Sequence, residues 1–174
     1  MQFLNAMFCI AFAFTSALQQ YPEFEWTKKS TLNADQQIEF PGIVLEPGTY
    51  IIRLKEGGER RSIVEILNRD ESQVLGRVVV LPDHQAKPDD NSEFTFHEVK
   101  MEGPQPVHGW HSTADLVGFE FVYPKPRAQE IAKASGRRVL AFDRIEDGPI
   151  VAVTPNGKEV VIDDQLASAR PKLP

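Results

Sequence analysis

Residues 117–123 of this chain read Val-Gly-Phe-Glu-Phe-Val-Tyr. The odd-numbered residues of this stretch are all large and apolar, whereas Gly118 and Glu120 lie between them. A period of two is typical of a β-strand that buries one face and exposes the other. The stretch therefore predicts a half-buried strand whose aromatic side chains point into a core.

Seven stretches before it carry similar signals, because runs of β-branched and aromatic residues alternate with turns that contain Gly or Pro. These stretches are residues 25–32, 37–40, 50–55, 62–67, 73–81, 93–101 and 107–112. Pro82 is expected to end the fifth of them. Eight short strands with regular turn signals predict a mostly β domain over residues 18–124, an antiparallel β-sandwich of jelly-roll type.

The pattern changes after Tyr123. Pro126 is suited to the first turn of a helix and Gly136 to a left-handed helix end, so a short helix is predicted between them. A strand at 139–142 and a hairpin around residues 155–157 are expected to follow. Residues 125–174 are therefore predicted to form a C-terminal α/β extension that ends in a disordered tail.

The first 17 residues carry no charged side chain and contain an apolar stretch shorter than the ~20 residues that span a bilayer. Thr15 and Ala17 are small residues at the two positions that a signal peptidase requires. Residues 1–17 are therefore predicted to be a signal peptide, with a buried N-terminal helix as the alternative. Cleavage would remove Cys9, the single cysteine, and would exclude disulfides and thiol chemistry from the mature chain.

The length of 174 residues suits one domain, and the formal net charge is −6. A net negative protein is not attracted to nucleic acid or to an anionic membrane surface. With the leader removed, no membrane span is expected in the mature chain. The protein is expected in the periplasm or outside the cell, where a glycan or an envelope protein is the expected partner.

Two segments carry a resemblance to known proteins. They are Phe-Pro-Gly-Ile-Val-Leu-Glu-Pro-Gly-Thr-Tyr at residues 40–50, and Phe-Glu-Phe-Val-Tyr-Pro at 119–124 followed by Arg127-Ala128. Together they resemble a group of short exported bacterial β-rich proteins of unknown function. The resemblance spans roughly residues 20–135, rests on turn and strand residues, and implies a fold but no catalytic residue.

Three histidines, His97, His108 and His111, fall on two strands that are predicted to form a hairpin. If Lys100 faces Val107, His97 shares a face with His108, and a one-residue slip places it with His111 instead. Two imidazoles with a carboxylate such as Glu98 or Glu120 could then hold a divalent metal, as in cupin-type barrels. The alternative is a set of unrelated histidines and no cofactor.

Other side chains suggest binding rather than catalysis. Four aromatic residues could form a sugar-stacking platform, or they could be core residues: Trp26, Tyr50, Trp110 and Tyr123. Five basic residues surround the predicted helix and could dock an acidic partner, or they could form a solvated helix face: Lys125, Arg127, Lys133, Arg137 and Arg138.

The sequence contains neither a Gly-x-Ser-x-Gly elbow nor a phosphate-binding loop. It therefore favours a non-enzymatic binding or interaction module of the bacterial cell envelope. A cupin-like metal-dependent enzyme that uses His97 with His108 or His111 is the alternative. A structural envelope component is a second alternative.

Overall fold

The computed structural model describes residues 28–55, 61–83, 93–100, 102–111, 118–144 and 148–162. Within these ranges the protein is mostly β with one short helix, as the sequence predicts, and it has thirteen strands. The predicted signal peptide, Trp26 and the predicted tail lie outside the described residues. In the described part of the chain, no helix is both long enough and apolar enough to cross a membrane.

Nine strands form a large sheet. They are β1 (Lys28–Ala34), β2 (Ile38–Phe40), β3 (Ile43–Leu45), β4 (Gly48–Lys55), β5 (Ser62–Asn68), β6 (Val74–Asp83), β7 (Phe94–Phe96), β8 (Gln105–Trp110) and β9 (Gly118–Phe121). Their order is β1-β4-β5-β6-β9-β8-β2-β3, and β7 also pairs with β8. β2 and β8 run parallel, so the sheet is mixed rather than purely antiparallel.

A smaller sheet contains β10 (Tyr123–Pro124), β11 (Val139–Phe142), β12 (Ile150–Val153) and β13 (Glu159–Val161), in that order. The helix α1 (Lys125–Ser135) connects β10 to β11, which pair in parallel. The predicted helix end is confirmed, because Gly136 adopts φ 71° and its N–H donates to the carbonyl oxygen of Ala132. The predicted hairpin is also confirmed, with a turn that the N–H of Gly157 closes by donating to the oxygen of Thr154.

The prediction of one half-buried strand over residues 117–123 was wrong. β9 ends at Phe121 and β10 begins at Tyr123, so the chain leaves the large sheet and joins the small one at this point. Phe121 and Tyr123 pack in the main core, whereas Val122 between them packs in a second cluster with Leu140 and Ile150. Both sets of side chains are buried because the crossing lies between two cores.

Two further strand predictions need correction. β6 does not end before Pro82 but continues to Asp83. Its pairing with β5 stops at Val80, and from there to Asp83 it pairs, among the described strands, with β9 alone. A proline without an N–H is tolerated where a strand has a partner on one side only. The short strand β3 was not predicted, and it returns beside β2 after a turn in which Gly42 has φ 78°.

The C-terminal elements share the main core with the large sheet. Ala128 and Ile131 of α1 and Val139 of β11 belong to the same buried cluster as Ile52 and Phe121. Because the helix packs directly on this core, the backbone that follows it is held against the large sheet. The residues after Gly136 are thereby placed near β7 and β8.

Candidate functional site

A β-bulge brings two histidines together at one end of the hairpin formed by β7 and β8. Thr95 pairs with Gly109, but Phe96 pairs with Val107, so His108 is the extra residue of the bulge. The ring centroids of His97 and His108 lie 4.7 Å apart, with the planes inclined at 61°. Bulges often redirect a side chain beside a functional site, and this one places His108 against His97.

The structure confirms that His97 lies beside His108, but the predicted register was wrong. The N–H of His97 donates to the carbonyl oxygen of Pro106 at 2.9 Å, and Phe94 rather than His97 faces Trp110. β7 ends at Phe96, earlier than predicted, and Gln105 is already in β8 because it pairs with the parallel strand β2. The connection between β7 and β8 is therefore longer than the one between the predicted strands at 93–101 and 107–112.

A cleft of about 310 Å³ opens next to the two histidines. It is lined by Phe96, His97 and His108 and by Arg137 and Arg138, which follow the end of α1. The volume falls at the small end of the range for ligand sites in proteins. We refer to this space, defined by its five lining residues, as the His–Arg cleft.

Glu120 fixes two of the groups that line the His–Arg cleft. This residue of β9 is only 5% exposed, and both of its oxygens accept hydrogen bonds from Arg138, at 3.3 and 3.1 Å. One of these oxygens also lies 3.4 Å from Nε2 of His108. Nδ1 of His108 lies 3.4 Å from the hydroxyl of Thr95, so both nitrogens of this ring face protein groups. Glu120 therefore acts as a positioning residue behind the cleft.

His97 differs from His108, since its ring nitrogens have no hydrogen-bond partner among the described residues. The residue is 3% exposed, and its neighbours are the rings of His108 and Tyr123, at 4.7 and 6.1 Å. Burial lowers the pKa of His97 from 6.5 to about 3, with a smaller contribution from the positive groups around it. The ring is therefore neutral near pH 7 and offers one donor and one acceptor.

Arg137 supplies an exposed cationic group that also lines the cleft. Its backbone N–H donates to the hydroxyl of Ser135, but its guanidinium makes no hydrogen bond or ion pair within the described ranges. A guanidinium carries five N–H donors in a planar fork that matches carboxylate and phosphate oxygens. The cleft thus presents a buried neutral imidazole and an uncommitted cationic fork.

The structure separates His111 from the other two histidines. His111 is 9% exposed, does not line the cleft, and has a buried Nδ1 without a partner in the described residues. Burial lowers its pKa, and Nε2 lies close to Gly109. Among the residues that the structure describes, no three His, Cys, Asp or Glu side chains are grouped so that they could hold a metal ion.

The predicted sugar-stacking platform does not form as expected. Trp110 and Tyr123 are fully buried. Trp110 donates to the hydroxyl of Ser30 at 3.0 Å, and the single hydroxyl proton of Tyr123 is shared between carbonyl oxygens of β2 and β8. These two aromatic residues are core residues and cannot present a ring to a sugar. Tyr50 is half-buried, and its hydroxyl donates to the oxygen of Glu46 at 2.8 Å.

Sequence reasoning named the histidines but did not combine them with arginines. The basic residues around α1 were treated as one group, whereas the structure divides them. Lys125 pairs with Asp143 and Glu159, and Arg127 pairs with Glu39 and Glu130. Two adjacent basic residues directly after a helix-ending glycine were the available signal, since the left-handed turn redirects the chain there.

No family model matches this chain, and neither a curated protein nor a solved structure matches it. Its function is therefore inferred from the chemistry of the His–Arg cleft.

Proposed function

We propose that this protein is an exported, non-enzymatic binding module of the bacterial cell envelope and that the His–Arg cleft is its ligand site. The uncharged apolar leader over residues 1–17 supports export. The observation that carries the proposal is His97, which is 3% exposed, lines the cleft and has ring nitrogens without a hydrogen-bond partner among the described residues.

A polar group that opens on a cleft and has no protein partner among the described residues, as the imidazole of His97 does, keeps its donor and acceptor available. A protein that places such a group in a cleft leaves its hydrogen-bonding capacity to whatever enters the cleft. Arg137 adds a cationic fork at the same place, whereas Glu120 holds Arg138 and His108 in position. The rigid surroundings and the two uncommitted groups are features of a binding site rather than of a closed core.

An NMR fragment screen tests this proposal on the protein purified after export. Anionic, neutral and cationic fragments are added separately while the ring signals of the histidines are observed. We expect at least one class to shift the signals of His97 and His108 saturably, and to leave His111 unchanged. The same fragments should fail to bind His97→Phe, and should still bind a control variant of the distant surface residue, Lys29→Gln.

Fragments that bind only outside the His–Arg cleft, or that bind His97→Phe as tightly as the unaltered protein, would contradict the proposal. His97→Gln serves as a second variant if the larger phenylalanine ring perturbs the fold. It keeps an uncharged donor and acceptor, so we expect it to weaken binding by less than the Phe substitution does.

The second candidate is a cupin-like metal-dependent enzyme, and the distance of 4.7 Å between the rings of His97 and His108 favours it. Imidazoles this close could bind one ion if both turned a nitrogen toward it, because zinc–nitrogen bonds are about 2 Å long. Against it, both nitrogens of His108 face Thr95 or Glu120, and the two arginines that line the cleft repel a cation.

Elemental analysis of protein purified without chelator distinguishes the two candidates. Near-stoichiometric zinc, iron, manganese or nickel that is lost in His97→Ala would establish the metal site and displace the binding proposal. A metal content below about a tenth of an equivalent would support the binding module instead. A site with the affinity of a structural zinc site would retain far more metal than that.

A further inference from the structure

The charges around the His–Arg cleft favour an anion. Arg137 and Arg138 are fixed positive charges, Glu120 is the one carboxylate in contact with a cleft-lining residue among those described, and His97 is neutral near pH 7. These four groups together carry one positive charge, and the guanidinium that carries it is that of Arg137. Arg137 is exposed, so water and salt screen this charge, and its guanidinium attracts an anion chiefly at close range.

The same charges favour a ligand with one negative charge over a phosphate dianion. Glu120 already accepts two hydrogen bonds from Arg138, so this arginine has fewer donors left for a ligand. A second negative charge would also be repelled by the Glu120 carboxylate behind the cleft. The planar guanidinium of Arg137 can donate to both oxygens of a carboxylate. The imidazole of His97 can bind a further polar atom of the ligand, either by donating its ring N–H or by accepting at the other ring nitrogen.

The remaining wall of the cleft is aromatic. Phe96 lines it, and the ring of His97 lies between the cleft and the ring of Tyr123. Such a wall adds affinity for the apolar or aromatic part of a ligand. A volume of about 310 Å³ is roughly ten times that of one water molecule in the liquid, which suits a small organic molecule.

We infer that the His–Arg cleft binds a small organic monoanion in which one carboxylate group, held by Arg137, is attached to an apolar or aromatic body lying against Phe96. This inference rests on the proposed function and adds the class of ligand to it. Arg137 is the specificity-determining residue, and Glu120 is the positioning residue that keeps Arg138 and His108 in place.

Calorimetric titration with benzoate, with its neutral analogue benzamide and with inorganic phosphate tests the inference. We expect benzoate to bind with a dissociation constant of about a millimolar, as is usual for so small a ligand, and at least about tenfold more tightly than either other probe. Arg137→Gln should weaken benzoate binding by at least about tenfold, because a charge-assisted bidentate contact is lost. The matched control Lys133→Gln removes the same charge from the exposed end of α1 and should leave binding within about twofold.

Three results would overturn the inference. Equal binding of benzamide and benzoate, both abolished in His97→Phe, would show that the cleft binds ligands without selecting an anion, so the proposed function would survive alone. Tighter binding of phosphate than of benzoate would replace the carboxylate by a phosphate group. Heat from none of the three probes would exclude this ligand class, and the fragment screen would then decide whether the cleft binds anything.

Discussion

Acid should destabilise this protein through His97. Burial lowers the pKa of this residue in the folded state from 6.5 to about 3, so the unfolded chain takes up a proton that the folded chain does not. The stabilising contribution of the neutral ring is fully present above pH 6.5 and is lost progressively as the pH falls toward about 3. Between about pH 7 and about pH 5, the free energy of unfolding should fall by about 2 kcal/mol from this one group.

Urea denaturation of the unaltered protein and of His97→Phe at both pH values measures this contribution. Other titrating groups are common to the two proteins, so their effects cancel in the comparison. The unaltered protein should lose about 2 kcal/mol more than the variant, which shifts the urea midpoint by roughly 1 M for a domain of this size. His97→Gln provides the same comparison without an aromatic ring.

Equal losses in the unaltered protein and in both variants would refute this reasoning. Such a result would mean that His97 titrates in the folded protein as it does in the unfolded chain. The ring would then be accessible to water, and burial would not hold it in the neutral form. A larger loss in the variants would contradict the direction of the pKa shift itself.

Three further substitutions, one of them with a matched control, test contacts within the large sheet and its core by urea denaturation. Tyr123→Phe should cost about 1–2 kcal/mol, because two buried carbonyl oxygens lose the one hydroxyl donor that they share; no loss would contradict that hydrogen bonding. Gly109→Ala should cost about 1–3 kcal/mol, since its methyl group would lie 3.1 Å from the oxygen of Phe119, whereas Gly48→Ala, with contacts of 3.4 Å and more, should change stability by less than about 1 kcal/mol. Glu65→Gln should cost about 1 kcal/mol near neutral pH. Although burial raises the pKa of Glu65, hydrogen bonds from two arginines bring it below 4.5, so this cost should fade as the pH drops through 4.5, and a cost independent of pH would contradict it.

The features of the fold that could be predicted from sequence are those with local causes. Pro126 and Gly136 mark the ends of a helix by their own backbone preferences, and residues 155–157 mark a turn in the same way. The parallel pairing of Ile38 with Gln105 has no local signal, since its partners are far apart in the sequence. The crossing between sheets at Val122 also depends on cores that assemble from distant segments.

The candidate site also combines features with local causes and features that depend on long-range packing. Hairpin reasoning placed His97 beside His108 as one of two registers, although the actual register depends on a bulge that no residue pattern indicated. Arg137 joins them only because α1 packs on the main core and the chain turns at Gly136. Glu120 seemed to be a possible metal ligand, whereas the structure pairs it with Arg138. Long-range packing therefore decides the charge of the cleft.

The most direct test of the account is to follow the imidazole NMR signals of His97, His108 and His111 while benzoate is added. The account predicts that His97 and His108 shift together and saturate, that His111 does not move, and that Arg137→Gln abolishes the response. Unchanged signals of His97, or equal drifts of all three histidines that do not depend on Arg137, would contradict the claim that the His–Arg cleft is the binding site.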